Sequence, residues 1–246
     1  MLMLLLVSLI TATGLVLPDN MKFVKQLGKG RTAIVDQVKM NGKSLMALKY
    51  PVEKKWGLER MVNEIRILKH IGKHPYIVSV RSTPELAVKD EEDVTVPTIL
   101  MENCKSIYTA DHKDLTITKV LAKQILTAVK DIHKLEIVHH DIKIDNILLC
   151  REDFKLADFG ESSFTEGSVE RREAMLEQDL GDLGVALWTY SGAKRTIRTL
   201  KDVRALIKKE FDRNVLEKLI FEEFCILLES YFETAEIALR HPFVNE

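Results

Sequence analysis

Apolar and polar positions alternate with a period of two over Met21–Leu27, pause at Gly28-Lys29-Gly30, and resume over Ala33–Lys39. Asn41-Gly42 is a strong hairpin signal, and Ser44–Lys49 alternates again after it, so three antiparallel strands are predicted. The period then lengthens. Glu59–Leu68 places Met61, Ile65 and Leu68 on one side of a helix. Tyr76–Val80 and Val94–Met101 are two further strand candidates, separated by the acidic loop Lys89–Asp93, a solvated turn. From Thr118 to Lys134 the positions Leu121, Ile125, Ala128, Val129 and Ile132 form one helical stripe. Short apolar runs at Ile137-Val138, Ile147–Leu149 and Phe154–Ala157 read as buried strands. Residues 161–178 are polar and poor in periodicity, and Val203–Leu228 and Thr234–Leu239 return to amphipathic helix.

With 246 residues and 46% hydrophobic composition, the chain buries a full core as one large domain or two small lobes. It carries no internal repeat or low-complexity tract. Thirty-six basic residues balance 37 acidic ones for a net charge of -1, which gives no electrostatic case for nucleic acid. Cys104, Cys150 and Cys225 form no C-x-x-C, so neither a disulfide framework nor a zinc site is predicted, and a reducing compartment fits. Met1–Leu17 complicates that, being apolar and uncharged. It lacks the basic start of a signal peptide, although Ala12-Thr13-Gly14 offers small residues for cleavage, and it is marginal as a membrane span. A segment packed on the domain, or a start at Met21, is the preferred reading. Membrane association rests on residues 1–17 alone. A cytoplasmic or nuclear location is favoured, with a secretory or membrane-associated one following if the leader is genuine.

Candidate chemistry concentrates in His139-His140-Asp141-Ile142-Lys143-Ile144-Asp145-Asn146, a polar centre between two apolar runs. Twelve residues after Asn146 comes Asp158-Phe159-Gly160. One loop presenting Asp, Lys and Asn beside another presenting Asp suits a nucleotide held through a hard divalent metal and a hydroxyl held for attack.

These motifs resemble the catalytic and metal-binding loops of the eukaryotic protein kinase family, whose pattern H-R-D-x-K-x-x-N is met with His140 in the arginine position. The resemblance runs from about Leu17 to His241-Pro242-Phe243 and includes Asp179–Gly192, similar to the family's buried helix with Asp179 in its anchoring position. It implies an α+β, bilobal fold: a small antiparallel N-lobe sheet with one helix at about 17–101, a hinge at about 102–105, and a larger, mainly helical C-lobe at about 106–246, with residues 1–16 as a leader.

It also implies ATP and Mg2+ as cofactors and a protein substrate. Asp141 takes the proton of the attacking hydroxyl, Lys143 contacts the transferred phosphoryl group, and Asn146 and Asp158 hold metal. Nucleotide contacts fall on Leu27, Gly28, Lys29, Gly30, Val35, Ala47, Lys49, Met101, Glu102, Cys104 and Leu148, with Glu64 pairing Lys49. Lys143 favours serine or threonine as acceptor.

The departures are specific. Ala33 replaces the third glycine, Gly181 a tryptophan, and no Ala-Pro-Glu follows Asp158. Arg171-Arg172-Glu173 is the candidate for that slot, and Phe232 stands where its arginine partner is usual. His140 is a weaker phosphate clamp than arginine, which implies a kinase independent of phosphorylation at Ser162, Ser163, Thr165 or Ser168. A pseudokinase-like scaffold or binding module is the alternative function, with a small-molecule kinase third.

Overall fold

The computed structural model describes residues 15–52, 56–82, 95–107, 114–192, 199–230 and 232–245. The chain divides into two compact units, Met1–Lys73 with Ser79–Cys104, and His74–Val78 with Lys105–Glu246.

The first unit is built on an antiparallel sheet of five strands. Strands β1 (Met21–Lys29), β2 (Ala33–Met40) and β3 (Ser44–Pro51) are the three read from alternation, and β4 (Val80–Ser82) and β5 (Ile99–Glu102) complete the order β1-β2-β3-β5-β4. Alternation sorts this sheet into two faces. On one, Ile34, Val38, Met46, Leu48, Tyr50 and Leu100 form an apolar cluster that Leu15 and Leu17 join, both buried. Asp36 lies within it, its carboxylate accepting from the Tyr50 hydroxyl at 2.7 Å. Burial holds the Asp36 carboxyl above its ordinary value, against the lowering effect of that bond. Helix α1 (Trp56–Ile71) follows β3 and buries Gly57, Met61, Glu64 and Ile67.

Three expectations change here. Gly28 and Lys29 belong to β1, and the turn falls after them, closed by the Gly30 N–H donating to the Ala33 carbonyl at 2.8 Å. A register shift between Gln26 and Gly28 absorbs the irregularity the glycines introduce. Tyr76–Val80 is not one strand, because Ile77 makes an isolated parallel bridge to Leu156 while Val80 begins β4. The strand expected over Val94–Met101 is confined to Ile99–Glu102; Pro97, lacking an N–H, lies outside it. The acidic loop Lys89–Asp93 and residues 1–14 lie outside the described residues.

The second unit is mainly helical. Helix α2 (Leu115–Lys134), N-capped by Asp114, buries the predicted stripe completely. After it come strands β7 (Ile137–Val138), β8 (Ile147–Cys150) and β9 (Asp153–Leu156), with a 3-10 turn over Ile144–Asn146. Strand β6 (Lys105–Ser106) pairs with β8, and β10 (Ser163–Phe164) with β7. Helices α3 (Val169–Ser191), α4 (Leu200–Ile207), α5 (Arg213–Ser230), α6 (Ala235–Ala238) and α7 (Pro242–Asn245) complete it.

Helix α3 corrects the reading of residues 161–178 as irregular. Ser168 caps it, accepting from the Arg171 N–H, and good helix formers follow in Glu170–Gln178. The first turns are polar because they are exposed, so they carry no period to read. Glu173 is exposed there, and Phe232 packs against the rings of Phe224 and His241. Neither half of the missing ion pair is left buried as a charge.

Candidate active site

In the first unit the expected nucleotide residues fall into cross-strand register. Gly28 of β1 faces Val35 of β2, Val35 faces Lys49 of β3, and Ala47 of β3 faces Met101 of β5. Alternation therefore puts Val35, Ala47, Lys49 and Met101 on the sheet face opposite the apolar cluster. A Cβ built on Gly28 meets no atom within 4 Å, and one on Gly30 meets only the Ala33 carbonyl at 3.5 Å. Packing within the chain does not demand these glycines, which is what an approach by phosphate oxygens to bare backbone requires. Leu27 and Lys29 are exposed.

The Lys49 Nζ donates to Glu64 Oε2 at 2.7 Å, and both side chains are buried, at 8% and 3% exposure. An ammonium on a strand and a carboxylate on the helix packed behind it thus fix each other. Glu102 accepts the Ser79 N–H at 2.7 Å through Oε1, which holds the end of β5, with Cys104 two residues beyond.

The second unit assembles the polar loop. Lys143 Nζ donates to both carboxylate oxygens of Asp141, at 2.7 and 2.9 Å. Asn146 Nδ2 donates to the Asp141 carbonyl at 2.8 Å and to its Oδ2 at 2.9 Å. Both donor positions of the Asn146 amide are thereby turned toward Asp141, leaving Oδ1 as its acceptor end. Asp158 is exposed on a left-handed backbone, φ 64°, a conformation that asparagine and aspartate tolerate better than most residues. Phe159 beside it is fully buried against His139, ring to ring at 4.7 Å. Alternation at this turn buries the aromatic and presents the acid. Leu148 lies on β8 opposite Lys155.

Three residues hold the loop from beneath. Asp179, fully buried on α3, accepts the His139 N–H at 2.8 Å and the His140 N–H at 2.9 Å, and its Oδ2 contacts His133 Nε2 at 2.9 Å. Burial raises its carboxyl, but the bonds from His133 and His139 outweigh that and hold it below the ordinary value. His139 places Nε2 on the Ala157 carbonyl at 3.1 Å and accepts the Asp141 N–H on Nδ1 at 3.3 Å. A neutral ring satisfies both contacts, and a charged one loses the second. Burial also pushes His139 below its ordinary value, against the attraction of Asp179 and neighbouring acids. His140 adopts φ 64° and turns Nε2 to the Ser163 hydroxyl at 2.8 Å. It engages a neutral partner where an arginine would seek a phosphate.

Sequence reasoning missed His133. His133 was hidden because it flanks the α2 stripe without belonging to it.

A five-stranded antiparallel sheet with a lysine paired to a helix glutamate, and a helical unit carrying an aspartate-lysine-asparagine loop, together define a protein kinase. The family model "Protein kinase domain" matches residues 21–179, more than half of the chain, and the chain belongs to that family. It is 31% identical over 184 residues to serine/threonine-protein kinase pak-2 of Caenorhabditis elegans, covering 74% of this chain and 33% of that one. It is 26% identical over 266 residues to serine/threonine-protein kinase ULK3 of Mus musculus, covering 86% and 55%. The mitogen-activated protein kinase KSS1 of Saccharomyces cerevisiae is 26% identical over 171 residues, covering 65% and 46%. The chain thus spans between a third and about half of these relatives' lengths.

Proposed function

We propose that the protein transfers the γ-phosphoryl group of ATP to serine or threonine hydroxyls of protein substrates, with magnesium as the metal. The observation that carries this reading is the convergence of Lys143 and Asn146 on the Asp141 carboxylate. A side chain so anchored is oriented before substrate arrives, and orientation is most of what this reaction asks of a protein. The acceptor hydroxyl forms a new bond to the γ-phosphorus as the bond to the ADP oxygen breaks. Its proton passes to Asp141, and ADP leaves. Lys143, half exposed and bound among the described residues by Asp141, swings its charge to the phosphoryl oxygens. Lys49, held by Glu64, binds the other phosphates, and Gly28 and Gly30, lacking Cβ atoms, let them approach the backbone.

The Oδ1 of Asn146 and the carboxylate of Asp158 are hard oxygen donors of the kind magnesium takes. The chemistry magnesium supplies when bound is neutralisation of phosphate charge. Lys143 in place supports serine or threonine as the acceptor, and it agrees with the serine/threonine-protein kinases to which the chain is similar.

The early start of α3 favours one competing reading, because little chain is left between β10 and Val169 to cradle an extended peptide. Offering protein acceptors and small hydroxyl compounds side by side, with labelled ATP, separates the two. Label in serine or threonine of the proteins is expected; label only in the small compounds contradicts the proposal.

A further inference from the structure

Charge is distributed unevenly along this chain. From Met21 to Ser44, over strands β1 and β2 and their turns, six basic residues, Lys22, Lys25, Lys29, Arg31, Lys39 and Lys43, stand against one acid, Asp36. All six are exposed, whereas Asp36 is buried and bonded to Tyr50. The segment carries +5 in a chain of net charge -1, so the remaining residues together carry -6.

Strand register gathers part of this charge on one face. Strand β1 shifts register twice against β2, between Phe23 and Lys25 and between Gln26 and Gly28. Each shift inserts one extra residue, so the period along β1 becomes three, and Lys22, Lys25 and Gly28 stand opposite Lys39, Gln37 and Val35. Positions 35, 37 and 39 alternate onto one face of β2, and Val35 stands opposite Lys49. Lys22, Lys25 and Lys39 therefore form a basic strip on the sheet face that carries Lys49. Among the described residues no carboxylate pairs with any of the three. Lys22 and Lys39 are directly opposite each other, an arrangement of like charges that costs stability. Lysines guard exposed sheet edges, and β1 is an edge strand, which accounts for Lys22 and Lys25. It does not account for Lys39, because β2 is paired on both sides.

We infer that this strip binds a short acidic segment of a partner protein, with the segment's carboxylates set against Lys22, Lys25 and Lys39. The charge on the rest of the chain chooses among polyanions. Nucleic acid and an anionic membrane both extend far beyond two strands, and the -6 carried elsewhere repels whatever part comes within a Debye length, about 8–10 Å. A short segment presents its charge to the strip alone. Leu45, exposed on β3 opposite Lys39, offers an apolar contact at the strip's end. The inference goes beyond the protein-kinase reading, and its test needs no phosphate transfer.

The full chain is titrated into a fluorescent peptide of about ten residues, half of them glutamate. A lysine peptide of the same length, a single-stranded oligonucleotide and vesicles of anionic lipid serve as comparisons. The parent is expected to bind the glutamate peptide more tightly than any of these, and to lose about tenfold in affinity between about 50 and 300 mM salt. Lys22→Glu combined with Lys39→Glu is expected to lower that affinity at least about tenfold and to bring binding of the lysine peptide. Lys22→Glu alone turns a like pair into an opposite one, so it is expected to raise the melting temperature while weakening peptide binding; structural damage lowers both. No binding of the glutamate peptide by the parent, binding that survives the double reversal, or tighter binding of the oligonucleotide or vesicles each overturns the inference and leaves the protein-kinase reading intact.

Discussion

Lys49 and Glu64 stabilise each other only as a pair, because each is a charge taken largely out of water. Glu64→Ala removes the partner that an almost fully buried ammonium meets at 2.7 Å. The expected cost is about 3 kcal/mol of folding stability, read as a lower denaturant midpoint, together with weaker nucleotide binding. An unchanged midpoint contradicts a structural part for the pair. His139 sets a second expectation. Its folded value lies below the ordinary histidine value of 6.5, and that of His241 is shifted the same way by burial, against the attraction of Glu223. A depressed base in the fold gives stability that is fully present above pH 6.5 and lost as pH falls from there toward the folded value. Denaturant midpoints are therefore expected to drop between pH 7.5 and pH 5.5; a flat or rising profile contradicts neutral buried rings.

At the scale of elements, the segment after Asp158-Phe159-Gly160 is held by its own hydroxyls. Ser162 Oγ donates to the His139 carbonyl at 3.2 Å, Ser163 bonds His140, and Ser168 caps α3. Each of these three has an architectural use that needs no phosphate. Replacing Ser162, Ser163, Thr165 and Ser168 together with alanine is expected to leave activity largely intact while lowering stability by about 1 kcal/mol for the lost cap, measured by phosphate transfer and by melting. A collapse of activity in a folded variant contradicts independence from phosphorylation. Elements with a buried face were legible in the sequence. Strands β1 to β3 and helix α2 each carried a clean period, and the catalytic-loop flanks carried short apolar runs. The start of α3 was not, since its exposed first turns contain helix formers without periodicity, and the segment Tyr76–Val80 divides its pairing between two sheets that no local pattern announces. Of the candidate site, residues inside motifs were readable one by one. His133 was not, because its importance comes from its contact with Asp179 on another helix.

At the scale of the whole molecule, the chain pairs an apolar sheet face, sealed by Leu15 and Leu17, with a polar one bearing Lys49, and separately builds a helical unit whose buried Asp179 anchors the loop of His139–Asn146. Family membership accounts for both. The departures, His140, the exposed Glu173 and the short path to α3, all lie in the second unit. None of them replaces Asp141, Lys143 or Asn146. The account therefore expects a working enzyme with an altered substrate platform, where a non-catalytic scaffold has no chemical need for the complete set. The measurement that tests this most directly is transfer of labelled γ-phosphate from ATP, with magnesium, to generic protein acceptors, comparing the parent with Asp141→Asn. The account predicts transfer by the parent and a loss of at least about a hundredfold in the variant, the scale of losing an oriented proton acceptor. Nucleotide binding without transfer in both, or equal transfer by both, contradicts it.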